Sequence, residues 1–233
     1  MMVTVFVTLA VLGAIVAVVV MFVQRGRETL DLSLRGLLRV YLYVASLAGV
    51  IVFAVGVAGI LSFVLAAAFG RDLVYGGSPP QPVPQVAPAC PPGQPTCAPT
   101  PVVAPRPLPD ERERRQQEDL VRGITFVVFG AVFWIAHWMA RRGRAGGSEH
   151  ASGLYRAYLM LGTAMFGIAT IVLLPTGIYQ ALADALIAPT PNTFRQGAGD
   201  SLSGGLASLP IWLLYLWLVL RAIRAPAAPS AAA

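Results

Sequence analysis

The sequence predicts an all-α integral membrane protein with about five transmembrane helices. Apolar residues make up 56% of the chain and charged residues 12%, which is about half the charged share of an ordinary soluble domain. Five stretches lack Asp, Glu, Lys and Arg, and each approaches the roughly 20 helical residues that cross a bilayer. They are residues 1–24, 40–70, 123–140, 157–183 and 201–220.

Two of these regions align with each other without gaps, which indicates an internal repeat. Residues 39–69 align with residues 156–186. Similar side chains coincide at several places, including Arg39 with Arg156, Tyr41 with Tyr158, Leu42 with Leu159, and Ser46 with Thr163. Each region is followed by a polar connection and a shorter apolar segment that contains tryptophan. The predicted architecture is therefore a leading anchor plus a pseudo-symmetric 2+2 helix bundle.

Residues 1–24 are predicted to form an N-terminal transmembrane anchor. A secretory signal peptide has basic residues before its apolar core, whereas here Arg25 and Arg27 come after it. Residues 25–38 mix charged and apolar side chains, which predicts a cytoplasmic interfacial segment that lies on the membrane surface.

The two-helix repeats are predicted at residues 39–143 and 154–224, followed by a disordered tail at 225–233. Within the first repeat, residues 76–109 contain 13 prolines. Proline lacks a backbone N–H and restricts the residue before it, so an outer loop that is extended or disordered is expected there.

The chain's two cysteines, Cys90 and Cys97, both lie in this Pro-rich loop. Structural zinc prefers four ligands, so a lone pair of cysteines is a poor metal site. In an oxidising compartment the pair is a candidate disulfide that closes a small loop, and two free thiols are the alternative.

Arginine is the basic residue throughout, and its distribution predicts the topology. The connections at 24–39 and 141–156 each carry four arginines, whereas the short 189–205 loop carries Arg195 alone. Short cytoplasmic loops are enriched in basic residues. The N-terminus and the Pro-rich loop are therefore predicted outside, and the C-terminus in the cytoplasm.

Several residues are candidates for helix packing or for anchoring at the membrane surface. Small residues allow close approach of transmembrane helices, and the packing candidates are Gly49, Gly56, Gly59 and Gly167. Arginine and aromatic residues at the ends of apolar segments are typical interfacial anchors. Those candidates are Arg39, Tyr41, Trp138, Arg156, Tyr158 and Trp212.

His137 is a weak candidate for binding a cofactor, because it is the histidine that lies in an apolar segment. A haem with two histidine ligands needs a second one in the membrane, and His150 lies in a loop. Asp184 and Gln180 lie near the outer end of the fourth span, where an acid is either a proton-handling group or simply hydrated. We expect no bound cofactor and no metal.

Two motifs resemble an uncharacterised bacterial membrane family, a domain of unknown function. Arg39-Val-Tyr41-Leu-Tyr43 opens one span, and Trp134-Ile-Ala-His137-Trp138 closes the next. The resemblance covers 36–143, and 154–224 is similar to a diverged second copy, with Tyr215 in place of the histidine. It implies a membrane module of the bacterial plasma membrane and no known activity.

The expected function is non-catalytic: an accessory or scaffolding subunit of a larger membrane complex, such as an energy-converting one. The partners are the lipid bilayer and other membrane subunits. Nucleic acid is not expected, because the arginines lie at helix ends rather than on one face. One alternative is a small transporter or channel, for which Pro175 in the fourth span is the hint. The other is a haem- or quinone-associated redox subunit that uses His137.

Overall fold

The computed structural model describes residues 34–77, 108–144, 153–187 and 196–224. These residues form four long helices and one short one: α1 (Leu34–Phe69), α2 (Arg71–Tyr75), α3 (Leu108–Arg144), α4 (Gly153–Leu186) and α5 (Gly199–Arg224). The four long helices are apolar enough and long enough to cross a membrane, so the prediction of an all-α membrane protein is confirmed. The anchor predicted at 1–24 lies outside the described residues.

Helices α1 and α3 run antiparallel and touch backbone to backbone at glycines. A Cβ atom on Gly56 would lie 2.4 Å from the Val127 nitrogen, and one on Gly130 would lie 2.4 Å from the Phe53 nitrogen. Side chains larger than hydrogen would separate the helices at these points. The α1–α3 crossing therefore depends on small residues on both helices, as is common for transmembrane helix pairs.

Helices α4 and α5 form a second antiparallel pair with the same type of contact. A Cβ on Gly177 would lie 2.5 Å from the Leu202 nitrogen, and one on Gly205 would lie 2.8 Å from the Leu174 Cα. Helix α1 joins the two pairs, mainly through α5 and to a smaller extent through α4. At the α1–α5 contact, the buried Ser62 hydroxyl donates to the Ser203 hydroxyl over 2.8 Å.

Helix α5 begins at Gly199, within the stretch for which the sequence predicts a loop that ends at 205. Glycine and serine usually indicate a loop in water. Here Ser203, Gly204 and Gly205 are buried, because their small size allows α5 to approach α4 and α1. The helix therefore begins about two turns before the predicted end of that loop.

Two other helix starts also differ from the predicted boundaries. Helix α1 begins at Leu34, so the last residues of the predicted interfacial segment belong to the long helix. Helix α3 begins at Leu108, which places Pro109 in its first turn, where a missing N–H costs no internal hydrogen bond.

Proline also occurs inside two helices without ending them. Pro175 lies within α4 and Pro210 within α5. Near Pro175, the Thr170 hydroxyl donates to the Phe166 carbonyl over 2.8 Å, and the Thr176 hydroxyl donates to the Val172 carbonyl over 2.6 Å. Such local hydrogen bonds are one way in which membrane helices accommodate proline.

Candidate functional site: tyrosine pairs at the arginine end

One end of the described bundle carries arginines without carboxylates, and we call it the arginine end. The starts of α1 and α4 and the last turns of α3 and α5 meet there. Eight described arginines occupy it: Arg35, Arg39, Arg141, Arg142, Arg144, Arg156, Arg221 and Arg224. The eight acidic residues of the described segments all lie at the opposite end: Asp72, Asp110, Glu111, Glu113, Glu118, Asp119, Asp184 and Asp200.

A hydroxyl cluster lies in the core just inside the arginine end. The Tyr158 and Tyr215 hydroxyls share a hydrogen bond of 2.6 Å, and the Ser46 hydroxyl lies 3.4 Å from that of Tyr158. All three side chains are buried. Three helices, α1, α4 and α5, therefore meet through one short polar chain in an otherwise apolar core.

Two tyrosine rings and the guanidinium group of one arginine pack around this cluster on the side of the arginine end. The Arg141 guanidinium lies 4.6 Å from the Tyr43 ring centre and 5.1 Å from the Tyr158 ring centre. Tyr43 and Tyr158 are themselves in ring contact at 5.3 Å. A cation held against aromatic faces in a desolvated place is attracted by their quadrupoles, so α3 is tied to α1 and α4 here.

A second pair joins α1 and α3 at the bundle surface. His137 Nδ1 donates to the Phe133 carbonyl over 2.7 Å, which leaves Nε2 of the neutral ring as an acceptor. The Tyr41 hydroxyl lies 3.5 Å from that Nε2, and the two rings meet edge to face at 5.8 Å. The hydrogen bond to the Phe133 carbonyl orients the imidazole, and the Tyr41 ring packs against its other side.

Polar contacts at the opposite end hold α2 against the start of α3. Arg71 Nε donates to Gln116 Oε1 over 2.7 Å and its Nη1 to Glu113 over 3.2 Å. Arg112 pairs with the Asp72 carboxylate and donates to the Gly76 carbonyl over 3.0 Å. We call this group of contacts the α2 clamp.

Tyr75 completes the α2 clamp. Its hydroxyl donates to Asp119 Oδ2 over 3.1 Å, and Asp119 also pairs with Arg122. Burial, together with the nearby Asp119 carboxylate, raises the pKa of Tyr75 well above its ordinary range. The start of α5 packs on the same short helix, since the Ala198 N–H donates to the Leu73 carbonyl over 2.9 Å.

The predicted packing glycines all lie at helix contacts. Three of them are on α1 and face α3: Gly49 faces Trp134, Gly56 faces Val127 and Gly59 faces Gly123. On α4, a Cβ added to Gly167 would lie 2.8 Å from the indole nitrogen of Trp212. These four glycines thus lie where α1 meets α3 and where α4 meets α5.

The predicted surface anchors divide between the surface and the core. Tyr41 is exposed, and Trp138 is half-buried beneath the Arg142 guanidinium, 3.8 Å from its ring. Tyr158 differs from the expectation, because it is 9% exposed and its hydroxyl is satisfied by Tyr215. The internal hydroxyl partner explains why this tyrosine lies in the core and not in an aromatic belt.

The remaining predicted residues are not part of the two pairs just described, Tyr41 with His137 and Tyr158 with Tyr215. Arg156 is exposed at the start of α4, and Asp184 and Gln180 are half-buried near the far end of that helix. Cys90 and Cys97 lie outside the described residues.

Sequence reasoning missed the α2 clamp entirely. The segment Arg71–Tyr75 is too short for a periodic signal, although Gly70, Gly76 and Gly77 flank it with positive φ angles. Glycines on both sides of a charged pentapeptide were the available indication of a separate short element. The pairing of Tyr158 with Tyr215 was also missed, because it joins residues 57 positions apart.

The sequence of several of these helices matches the model of a known protein family. Residues 102–214 match the model of DUF5671, a domain of unknown function. The predicted resemblance to an uncharacterised domain family is thereby confirmed. The DUF5671 region covers slightly less than half of the chain. It comprises α3, α4 and most of α5, and it does not include α1, so its bounds differ from the predicted 36–143 region. No curated protein and no solved structure shows significant similarity to the chain.

Proposed function

We propose that this protein is a non-catalytic accessory or scaffolding subunit of a larger membrane complex, and that α3 is the helix that contacts the partner. The uneven burial of the helices supports the proposal. In the most apolar part of each helix, 39% of α1 and of α4 is buried inside the described bundle, against 17% of α5 and 11% of α3, the lowest share of the four. Helix α3 packs mainly on α1 and leaves most of its circumference outward.

The outward surface of α3 has the spacing of a helix-packing surface. Six residues alternate four and three positions apart, and all six are exposed: Val121, Thr125, Val128, Val132, Ile135 and Met139. The one hydroxyl among them, that of Thr125, is satisfied by the Val121 carbonyl at 2.8 Å. We call these six residues the α3 stripe.

A four–three alternation keeps a side-chain row facing one partner helix along several turns. Any single face of a helix repeats every three or four residues, so the spacing defines the row and the low burial of α3 is what favours a partner there. Five of the six residues, all except Met139, have a branched Cβ and therefore few rotamers to lose on packing. The occupant that fits best is an apolar transmembrane helix of another membrane polypeptide.

Photo-crosslinking tests this proposal directly. A photoreactive phenylalanine analogue is placed at Val128 or Val132 in the stripe, and at Ile171 on α4 as the control. All three side chains are exposed apolar residues. After irradiation of native membranes, the complex is purified in mild detergent and analysed by mass spectrometry.

The two outcomes are distinct. We expect a protein adduct from the stripe positions, none from Ile171, and co-purification of the adduct's partner with the unmodified chain in constant ratio. A lone monomer that forms only lipid adducts at all three positions would exclude the accessory role. We would then turn to transport, which a solute flux through proteoliposomes containing the protein would demonstrate.

His137 supports a second candidate function, a haem- or quinone-associated redox subunit. Its ring is oriented by a backbone carbonyl through Nδ1, as ligating or donor histidines commonly are. A visible spectrum of the same purified fraction tests this role. An absorption band that disappears in His137→Ala, but persists in the Trp138→Phe control, would assign the pigment to this chain.

We also propose that the chain lies in the plasma membrane of a bacterium with the arginine end in the cytoplasm. The arginine end carries arginine without described carboxylates, whereas the opposite end carries both, and this difference supports the orientation. Reporter fusions after residue 224 and within 78–107 test it, because they must report opposite sides of the membrane.

The two-copy architecture remains part of the proposal. The gapless alignment places Tyr41 on Tyr158, and a separate match of the Trp134 motif with the segment that starts at Trp212 places His137 on Tyr215. In the structure, Tyr41 lies against His137, and Tyr158 shares a hydrogen bond with Tyr215. Equivalent contacts between equivalent positions favour a duplicated two-helix unit. Superposition of an experimental α1–α3 pair on α4–α5 tests it, since a duplication predicts the same crossing for both.

A further inference from the structure

We propose that the arginine end binds the headgroups of anionic phospholipids, with the guanidinium groups of Arg142 and Arg221 as its principal contacts. This surface is separate from the α3 stripe, which faces the apolar part of the membrane. The inference depends on charge, on two arginine–tryptophan pairs and on their position at the ends of membrane-spanning helices.

The arginine end has an excess of positive charge. No described Asp or Glu lies at this end, and the five ion pairs that join described arginines to described carboxylates between residues 71 and 122 lie at the opposite end. By sequence, the adjoining segments 24–33 and 145–152 add two arginines and three carboxylates. The excess therefore remains seven positive charges when those segments are included.

Two arginines at this end are held against tryptophan rings on their own helices. The Arg142 guanidinium lies 3.8 Å from the Trp138 ring and that of Arg221 lies 5.5 Å from the Trp217 ring. Both pairs are four residues apart in the last turns of α3 and α5, and both arginines are exposed. Tryptophan prefers the headgroup level of a bilayer, so it holds each guanidinium at the depth of the lipid phosphates.

These guanidinium groups suit a phosphate better than any other headgroup component. A guanidinium binds phosphate oxygens through two parallel N–H donors, and stacking on tryptophan leaves its in-plane donors available. Zwitterionic headgroups also carry an ammonium group, which an excess of positive charge repels. The surface therefore favours lipids with a net negative headgroup, such as phosphatidylglycerol.

Lipid retention by the full-length protein tests the proposal. The protein is purified in mild detergent, mixed with phosphatidylglycerol or phosphatidylcholine, and analysed by native mass spectrometry and by thermal melting. The test variant, Arg142→Gln/Arg221→Gln, removes the two stacked guanidinium groups. Arg114→Gln/Arg115→Gln is the matched control variant, because it removes two exposed arginines from the opposite end of the same protein.

We expect wild type to retain phosphatidylglycerol in preference to phosphatidylcholine, with a preference that weakens as salt is raised. A basic residue near an anionic surface contributes about fivefold in affinity, so the test variant should bind phosphatidylglycerol about 25-fold more weakly. The control variant should remain within about twofold of wild type.

Three results would overturn the proposal. They are equal retention of both lipids by wild type, equal losses in the test and control variants, and full competition by inorganic phosphate at the lipid's own concentration. The last would indicate a site for a soluble phosphate. If the double variant does not fold, the single variants Arg142→Gln and Arg221→Gln decide the question, because each should weaken phosphatidylglycerol binding about fivefold and unchanged binding in both would overturn the assignment.

Discussion

The α1–α3 crossing gives the sharpest test of how this bundle is held together. In Gly56→Ala, the new Cβ would lie 2.4 Å from the Val127 nitrogen and 2.8 Å from the Gly123 oxygen, whereas ordinary contacts begin near 3.4 Å. The obstructing atoms belong to the backbone, so no side chain can rotate away. The helices must separate by about 1 Å where they now touch, which is enough to forfeit a quarter to a half of the dispersion energy of each contact.

The expected cost follows from that separation. Overpacking a well-filled contact costs about 1–3 kcal/mol. Alanine has a higher helix propensity than glycine, which offsets up to about 1 kcal/mol of that cost. Gly56→Ala should therefore lower the free energy of unfolding by about 1–2 kcal/mol. Gly143→Ala is the matched control, because nothing lies within 4 Å of its added Cβ and alanine should be neutral or slightly stabilising there.

Reversible unfolding in mixed micelles, in which the denaturing detergent fraction is increased, measures both variants by circular dichroism. The midpoint of Gly56→Ala should fall below that of wild type, and that of Gly143→Ala should not. If both variants unfold together with wild type, the backbone contact between α1 and α3 does not determine the stability of the bundle, and the packing argument fails.

Three further predictions concern hydroxyl groups. In a double-mutant cycle, Tyr158→Phe and Tyr215→Phe should show a coupling energy of about 0.6 kcal/mol and at most about 1.7 kcal/mol, as for other hydrogen bonds between membrane helices; additive effects would mean that the 2.6 Å contact contributes nothing. Ser62→Ala alone should lower the unfolding midpoint, because it leaves the buried Ser203 hydroxyl without its 2.8 Å donor, whereas the double alanine variant should recover most of the loss. The difference in tyrosinate absorbance between wild type and Tyr75→Phe should stay near zero at pH about 10 and rise only in stronger base, since the folded pKa of Tyr75 is raised. The contribution of Tyr75 to stability is present below pH about 10 and is lost above it. Titration of Tyr75 at the ordinary tyrosine pKa would contradict the contact with Asp119.

The long helices could be predicted from the sequence because lipid imposes a simple rule on them. A spanning helix needs about 20 apolar residues, and uncharged runs of that length are visible without any structure. The boundaries could not be predicted as well. Gly199–Gly205 contains residues typical of a loop in water, yet Ser203 and Gly205 are buried in α5. A glycine can end a helix or allow it to pack closely against another helix. The neighbouring helix decides which of the two occurs, and a single sequence does not show which helix that is.

The α2 clamp escaped prediction for a related reason. Arg71, Arg112 and Asp119 each belong to a segment whose composition is typical of a solvated charged face, and only the fold brings their partners within hydrogen-bonding distance. Within α3, an i,i+4 spacing predicts that Glu111 pairs with Arg115, which it does at 3.3 Å. The same spacing predicts that Glu118 pairs with Arg122, but Glu118 pairs with Arg114 and Arg122 pairs with Asp119. Local spacing is therefore a partial guide within one helix, and contacts between elements had no local signal.

The two pairs of contacting rings at the arginine end lie in different environments. Tyr41 with His137 lies at the bundle surface, whereas Tyr158 with Tyr215 lies in the core. An imidazole buried at the second position would need both ring nitrogens satisfied in an apolar setting, and an unsatisfied buried polar atom costs about 1–3 kcal/mol. The phenol of Tyr215 requires one partner, which Tyr158 supplies. Burial at the α4–α5 contact therefore favours tyrosine there, and the surface position on α3 tolerates histidine because its Nε2 remains accessible to Tyr41.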